Sequence, residues 1–200
     1  MAAVYGRAIP VLWLSWVALW AAWSVGTKRT VRRESRAARL AYHVPLLAGA
    51  VLLAAPRVGG GWLGVRLLAR SAAWFWFGTA LVAAGLGFAV AARAYLGRNW
   101  SGTVTLKQGH ELIRGGPYRV VRHPIYTGLL LAFAGTAVAR GDVRGLVALA
   151  LVTASFLFKL RVEERFMGEQ FPQEYPGYKA QTPALIPGVR RRRPRKNVAW

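Results

Sequence analysis

Residues 124–160 read PIYTGLLLAFAGTAVARGDVRGLVALALVTASFLFKL, two apolar runs joined by the short turn Arg140-Gly141-Asp142. The runs cover residues 124–139 and 143–160. A helix needs about 20 mostly apolar residues, with a range of about 17–25, to cross a bilayer. The second run has this length and the first is marginal. The stretch therefore predicts two antiparallel helices that lie side by side in a membrane.

Three further apolar segments lie upstream, at residues 9–26, 40–56 and 72–92. The first is preceded by Arg7 alone and is followed directly by two basic residues. This charge order is the reverse of that in a secretory signal, so we interpret the segment as a retained span. The sequence thus predicts an all-α integral membrane protein with about five transmembrane helices.

The basic residues predict how these helices are oriented. The chain has a net charge of +21, although 54% of its residues are hydrophobic. Twenty-two of the 28 Lys and Arg residues fall in residues 27–39, in residues 93–123 or from Lys159 onward. The positive-inside rule places these regions in the cytoplasm. We therefore expect a protein of the cell inner membrane, with its N-terminus outside and its C-terminus in the cytoplasm.

The run Arg190-Arg191-Arg192-Arg193 has two interpretations, a nucleic-acid patch or a tail on anionic lipid. Anionic lipid attracts each basic residue near its surface by about 1 kcal/mol. Neither a helix-turn-helix nor a zinc-finger pattern accompanies the run. We therefore favour membrane lipids as the partner and expect no nucleic acid.

Several kinds of chemistry are excluded or disfavoured by composition. The chain has no cysteine, which excludes thiolate metal sites and cysteine nucleophiles. Its three histidines lie far apart and lack metal-ligand spacing, so we expect no metal. Gly85-Leu86-Gly87 resembles the start of a dinucleotide-binding motif but lies inside an apolar segment. We interpret it as close helix packing.

Polar residues that are unusual in so apolar a chain cluster between residues 95 and 187. Gly115-Gly116-Pro117-Tyr118 predicts a tight turn with exposed backbone donors. In Arg122-His123-Pro124-x-Tyr126, the proline suits the first turn of a helix, which places Arg122 and His123 at that helix's N-terminus. We therefore divide the chain into a scaffold of three spans, residues 1–92, and a functional part, residues 93–200.

From about residue 93 to residue 187 the chain resembles the isoprenylcysteine carboxyl methyltransferase and phospholipid methyltransferase superfamily. The features that carry the resemblance follow one another in the same order as in that superfamily. They are Leu96-Gly97-Arg98-Asn99-Trp100-Ser101, His110, Leu112-Ile113, Gly116-Pro117-Tyr118, Arg122-His123-Pro124-x-Tyr126-x-Gly128, Arg161-x-Glu163-Glu164, Phe171, Tyr175, Tyr178, Thr182 and Ile186-Pro187.

The resemblance implies a methyltransferase that uses S-adenosylmethionine, bound by a cytoplasmic loop, by the start of the fourth span and by the C-terminal segment. It implies a hydrophobic, lipid-like acceptor with a carboxylate or an amine, which enters from the bilayer between the third, fourth and fifth spans. The implied cofactor contacts are His110, Leu112, Gly116, Tyr118, Arg122, His123, Tyr126 and one of the two adjacent glutamates, Glu163 or Glu164.

Three residues just beyond the fifth span, Arg161, Glu163 and Glu164, are our candidates for catalysis. On a helix, Arg161 and Glu164 share a face, and Lys159 shares another with Glu163. Surface salt bridges, worth about 0–1 kcal/mol each, are the alternative interpretation. With the resemblance added, we expect a carboxylate to hold the cofactor or to act as a base, and the arginine to orient the acceptor.

Two other classes of protein remain open. Membrane sterol reductases, which bind NADPH, carry a related Arg-His-Pro-x-Tyr motif, usually after Gly-Trp-Trp rather than Gly-Pro-Tyr. A non-catalytic scaffold protein is the second alternative. Binding of S-adenosylmethionine, of NADPH or of neither distinguishes the three.

Overall fold

The computed structural model of the protein describes residues 2–24, 30–54, 61–100, 105–107 and 111–188. Within this part of the chain, three helices are long and apolar enough to cross a membrane, and a fourth is apolar but shorter. The predicted all-α membrane fold is confirmed, whereas the number of five spans stays a prediction.

In chain order the elements are α1 (Ala2–Trp23), β1 (Thr30–Arg33), α2 (Arg36–Ala54), a 3₁₀ turn (Gly61–Gly64), α3 (Ala72–Leu96), a second 3₁₀ turn (Gly97–Asn99), β2 (Thr105–Lys107), α4 (Pro117–Val120), α5 (Pro124–Arg140), α6 (Val143–Gln170) and α7 (Tyr175–Gln181).

The helices α2, α3 and α6 are the three long apolar ones, and α5 is the shorter one. Their ends follow local sequence signals. The side chain of Ser71 caps α3 by accepting a hydrogen bond from the Trp74 amide at 3.2 Å. Pro124 occupies the first turn of α5, and Gly141 ends that helix in the left-handed conformation, with φ of 65°. Asp142 then caps α6 at once, so the predicted hairpin has a connection of only two residues.

Helices α3 and α5 make the closest contact in the bundle, and glycines permit it. A Cβ atom on Gly85 would lie 2.6 Å from the Ala132 amide nitrogen, and one on Gly128 would lie 2.8 Å from the Ala89 amide nitrogen. Small residues let the two backbones approach, as is common between membrane helices. The interpretation of Gly85 as a packing residue is therefore confirmed.

Helices α1 and α2 pack on different partners. Helix α2 packs along α6, where Ser155 Oγ donates a hydrogen bond to the Tyr42 carbonyl at 2.6 Å. Helix α1 packs on α3, and Trp13 Nε1 donates to Thr136 Oγ1 of α5 at 3.1 Å. The space between α1 and α2 is the large cavity described below.

Two short strands, which the sequence analysis did not anticipate, pair the loop after α1 with the loop after α3. They are antiparallel, with Thr30 opposite Lys107 and Arg33 opposite Thr105. The pairing holds the two loops on the same side of the helices, in agreement with the charge pattern. The division at residue 92 stays a prediction, and the buried core crosses it because Leu53 and Val82 belong to the same cluster as residues of α5 and α6.

Candidate active site

A cavity of about 1000 Å³ runs along α5 between α1 and α2. One polar end lies at the N-terminus of α5, and a mostly apolar channel runs from it to Arg140 at the other end. Most of the predicted site residues line the polar end, together with aromatic and charged side chains from α2, α6 and α7. The lining residues at that end are Tyr42, His43, Glu111, Leu112, Ile113, Tyr118, Arg122, His123, Tyr126, Lys159, Glu163, Phe166, Met167, Tyr175 and Tyr178.

His123, Tyr126 and Glu163 form the centre of the polar end. The rings of His123 and Tyr126 stack in parallel, with centroids 5.6 Å apart and an interplanar angle of 7°. Glu163 accepts a hydrogen bond from the Tyr126 hydroxyl and lies 3.3 Å from His123 Nδ1. Two residues from the start of α5 are thus joined to one carboxylate on α6.

His123 lies between two carboxylates. Its second ring nitrogen, Nε2, is buried and lies 3.5 Å from Glu164 Oε1. Burial by itself lowers the pKa of His123, but the hydrogen bonding and negative charge of Glu163 and Glu164 outweigh it, so the pKa is raised above its ordinary value. The imidazole is therefore poised to hold a proton between the two glutamates.

Glu164 does not line the cavity but holds its wall in place. It pairs with Arg122, whose Nε donates to Glu164 Oε1 at 2.9 Å, and its other oxygen lies 2.6 Å from Lys179 Nζ. The Arg122 and Glu164 side chains are only 8% and 9% exposed. Buried pairs of this kind are sensitive to loss of either partner, because the remaining charge is left uncompensated.

The C-terminal segment is fastened to the start of α5 through its backbone. The amides of Arg122 and His123 donate to the carbonyls of Pro183 and Ala184 at 2.9 and 3.0 Å. The Thr127 hydroxyl donates to the Leu185 carbonyl at 2.7 Å. The start of α5 and residues 183–185, which are far apart in the sequence, therefore form one wall of the cavity.

Gly116 and Tyr118 shape the loop before α5. Gly116 has φ of 54°, and a Cβ atom there would meet the Tyr95 ring at 2.6 Å, so the position requires glycine. Tyr178 donates its hydroxyl hydrogen to the Tyr118 carbonyl at 2.6 Å. Burial raises the pKa of Tyr178 to about 12, and burial also raises that of Tyr118, so both phenols stay neutral donors.

Arg161 is not brought to this group. Its side chain is exposed and lines a separate, smaller cavity with Glu34 and Ser35. Helical geometry explains the separation, since Arg161 and Glu163 differ by about 200° around α6. The structure therefore separates Arg161 from Glu163, and the predicted role of Arg161 toward the acceptor stays a prediction. The predicted contact from His110 lies outside the described residues.

Two residues that the sequence analysis did not assign to the site contribute to it. Lys159 Nζ lies 5.2 Å from the centroid of the Tyr42 ring and 5.5 Å from that of Tyr126, within cation–π range. The four-residue spacing between Lys159 and Glu163 was a signal for the lysine. Tyr42 had no comparable signal, because its position depends on how α2 packs against α6.

Among the described residues, no group of three or more His, Asp or Glu side chains could hold a metal ion. The polar end instead offers aromatic rings and the carboxylate of Glu163. These groups suit an organic ligand that carries a positive charge.

The fold and the site define an integral membrane protein whose polar pocket continues into an apolar channel. The family model described as phospholipid methyltransferase matches residues 73–174, and the chain belongs to this family. The match runs from the start of α3 to the turn before α7, so it contains most of the candidate site.

Curated relatives align with part of this chain. The cobalt-zinc-cadmium resistance protein CzcN of Cupriavidus metallidurans is 32% identical over 51% of this chain and 48% of its own length. Protein-S-isoprenylcysteine O-methyltransferase B of Arabidopsis thaliana is 28% identical over 46% of this chain and 49% of its own. Methanethiol S-methyltransferase 2 of Bradyrhizobium diazoefficiens is 42% identical over 38% and 29%. The chain therefore spans about half the length of the first two relatives, and less of the third.

A solved structure has a similar fold. It is that of the eukaryotic intramembrane Ras methyltransferase, an isoprenylcysteine carboxyl methyltransferase. The TM-score is 0.50 and the sequence identity 23%, over 76% of this chain and 52% of that one. At this identity the likeness concerns the fold alone.

Proposed function

We propose that this protein transfers a methyl group from S-adenosylmethionine to a hydrophobic acceptor at the cytoplasmic surface of the membrane. The observation that carries the proposal is the group of His123, Tyr126 and Glu163, which closes the polar end of a cavity whose remainder is mostly apolar. Membership of the phospholipid methyltransferase family supports the reaction type. The positive-inside pattern supports the cytoplasmic location of this end.

The residues at the polar end fit a sulfonium cofactor. S-adenosylmethionine, when bound, supplies an activated methyl group on a positively charged sulfur. Glu163 places a negative charge on the cavity wall, and the ring of Tyr118 also lines it and can attract a cation. His123 lines the same wall between the two glutamates, and Leu112 adds apolar contact. Glu164 and Arg122 hold these groups in position rather than act on the ligand.

The chemistry of the acceptor decides whether the reaction needs a general base. A carboxylate acceptor is already a nucleophile and needs no base, whereas an amine acceptor has to lose a proton. Glu163 is the base candidate in the second case, because it faces the cavity and Glu164 does not. Lys159, in place of the predicted Arg161, is the cation that faces the cavity and attracts an anionic acceptor.

The acceptor's tail occupies the apolar part of the cavity in this proposal. That part is lined by α1 and α2 and by the cavity face of α5, including Trp13, Leu47 and Phe133. The sequence predicted that the acceptor enters between the third, fourth and fifth spans, which are α3, α5 and α6. We now propose that it enters along α5 and α6 through the space between α1 and α2. Tail burial contributes about 0.8 kcal/mol per methylene, so acceptors without a tail should be poor substrates.

A titration tests the cofactor. Purified protein in detergent is titrated with S-adenosylmethionine and with NADPH, and isothermal calorimetry reports binding. We expect binding of S-adenosylmethionine only, and binding at least tenfold weaker in His123→Ala. Glu169→Gln, on the exposed end of α6, is the control and should bind normally. Binding of NADPH alone would establish the reductase alternative, and binding of neither would favour a scaffold.

Orientation is tested separately. A reporter that is active only in the periplasm should work when fused after Asp142 and fail when fused after Trp200. The reverse pattern would place the polar end outside and contradict a cytoplasmic reaction.

A further inference from the structure

The end of the cavity opposite His123 holds a cluster of buried charges. Arg140 Nη2 lies 3.1 Å from Asp142 Oδ2, and Arg144 Nη2 lies 3.6 Å from the same oxygen. The exposed fractions of these side chains are 24% for Arg140, 10% for Asp142 and 8% for Arg144. Helix α5 has 17 residues, so its ends, and with them the two polar regions, are about 25 Å apart.

The single carboxylate of this cluster is already in use. Asp142 Oδ1 accepts a hydrogen bond from the Gly145 amide at 3.0 Å and caps α6, while Oδ2 is shared by both arginines. The positive end of the α6 dipole lies at the same place and adds to the positive potential. The guanidinium of Arg140 keeps its Nε without a partner, so it favours an additional anion.

Arg140 faces the cavity. Its Nη1 donates to the Leu53 carbonyl at the end of α2, at 3.2 Å, whereas its Nε is buried and has no hydrogen-bond partner. The neighbouring wall consists of Leu53, Thr136 and Ala139, with Trp13 across from them. An anion at Arg140 would therefore lie at the end of an apolar channel rather than in open solvent.

A third arginine approaches the cluster from the solvent side. The backbone of Arg66 forms a bridge with that of Asp142, and Arg66 Nη2 lies 3.1 Å from the position a Cβ atom would take on Gly141. Its side chain is exposed. The charge pattern places this end on the membrane side that has few basic residues, yet three of them meet here.

We infer that this end of the cavity binds the phosphate of an anionic phospholipid, with an acyl chain in the apolar channel. Guanidinium groups pair well with phosphate oxygens because their donors form a planar fork. The apolar walls favour a lipid over free phosphate, which has nothing to place in the channel. The channel is the one that the tail of the proposed methyl acceptor would enter, so the two lipids would share it. The inference does not rest on methyl transfer, however, since none of its charged residues lies at the polar end.

Thermal unfolding of the purified full-length protein in detergent tests the inference with three probes: phosphatidylglycerol, phosphatidylcholine and inorganic phosphate. We expect phosphatidylglycerol to raise the unfolding temperature more than phosphatidylcholine does, and inorganic phosphate to have no effect. Native mass spectrometry should show at least tenfold weaker retention of phosphatidylglycerol in Arg140→Gln, which removes the arginine that faces the cavity. Arg70→Gln, a neutralised exposed arginine of the preceding loop, is the control and should match the unmodified protein.

Arg66→Gln gives a second measurement that does not depend on a buried residue. It should weaken retention of phosphatidylglycerol about threefold relative to Arg70→Gln. If Arg140→Gln does not fold, the comparison of Arg66→Gln with Arg70→Gln still tests the inference. Equal effects of the two lipids on the unmodified protein, a phosphate effect as large as that of the lipid, or equal retention by Arg66→Gln and Arg70→Gln would overturn the inference.

Discussion

The two ends of the cavity present different charged groups to its interior. At the polar end Glu163 and Lys159 face inward, and Arg122 is occupied by Glu164 and by backbone carbonyls. At the other end Arg140 faces inward, and Asp142 is occupied by the cap of α6. The charges that point into the cavity, rather than the sum of nearby charges, indicate which ligands each end accepts. The polar end offers a carboxylate for a cationic ligand and an ammonium group for an anionic acceptor, whereas the other end offers a guanidinium group for an anion.

The largest expected effect concerns Glu163. Glu163→Gln removes the inward negative charge and the partner of His123 and Tyr126, so we expect methyl transfer to fall about a hundredfold, a typical loss for a positioned charged group. Labelled S-adenosylmethionine and a membrane lipid extract provide the assay. Arg140→Gln, at the other end, should change turnover less than threefold. If the two variants lose activity equally, the ends do not have separate roles.

Glu164 should matter less, because it acts through its neighbours. Glu164→Gln weakens the pairs with Arg122 and Lys179, which fasten the C-terminal segment to α5. We expect turnover to fall about tenfold, equivalent to about 1.4 kcal/mol of barrier, and the unfolding temperature to fall by about 5 °C. The matched control is Glu174→Gln, whose pair with Arg114 is half-exposed and contributes little. Similar losses in both variants would contradict a special role for the buried pair.

The pH dependence of stability should come from the His123 end. The pKa of His123 in the folded protein is raised above the ordinary value of 6.5 by Glu163 and Glu164, against the effect of burial. Its contribution to stability is therefore complete below about pH 6.5 and is lost as the pH rises through the raised pKa. We expect the unfolding temperature to decline by a few degrees over this interval.

His123→Gln should remove that decline, while Arg144→Gln at the other end should keep it. Differential scanning calorimetry between pH 6 and about pH 9, the range above the ordinary histidine pKa, makes the comparison. If the unfolding temperature of His123→Gln declines with pH as much as that of the unmodified protein, another titrating group causes the decline.

Local sequence signals predicted much of this molecule. Pro124 and the turn at Arg140-Gly141-Asp142 mark helix ends through the conformations they favour, so the positions of α5 and α6 could be predicted. The motif around His123 indicated the polar end, although the roles of its residues stay predictions. Signals of this kind depend only on neighbouring residues.

Contacts between distant segments could not be predicted in the same way. The place of Tyr42 in the cavity depends on the packing of α2 against α6, which no single segment specifies. Pairing of β1 with β2 joins loops about 75 residues apart, and strands this short have little pattern of their own. The shared use of Asp142 by two arginines also appears only when the hairpin and its neighbours are assembled.

The smallest expected effect concerns Arg161 and shows how the sequence interpretation went beyond its geometry. The spacing of three residues places Arg161 and Glu164 on one face of an ideal helix, although Glu164 pairs with Arg122 and Lys179 instead. The same rule places it about 200° from Glu163, and Glu163 is the glutamate that faces the cavity. Lys159, four residues before Glu163, shares that inward face. The basic residue expected to attract the acceptor is therefore Lys159.

Arg161→Gln and Lys159→Gln form a matched pair, since each neutralises one basic residue on the same helix. We expect Lys159→Gln to lower turnover of an anionic acceptor about fivefold, or about 1 kcal/mol of barrier, and Arg161→Gln to lower it less than twofold. Oleate and oleylamine, which share a tail and differ in head group, serve as probe acceptors with labelled S-adenosylmethionine. A larger loss in Arg161→Gln than in Lys159→Gln would restore the prediction that Arg161 orients the acceptor. It would also mean that the positions of these two side chains do not determine which one meets the acceptor.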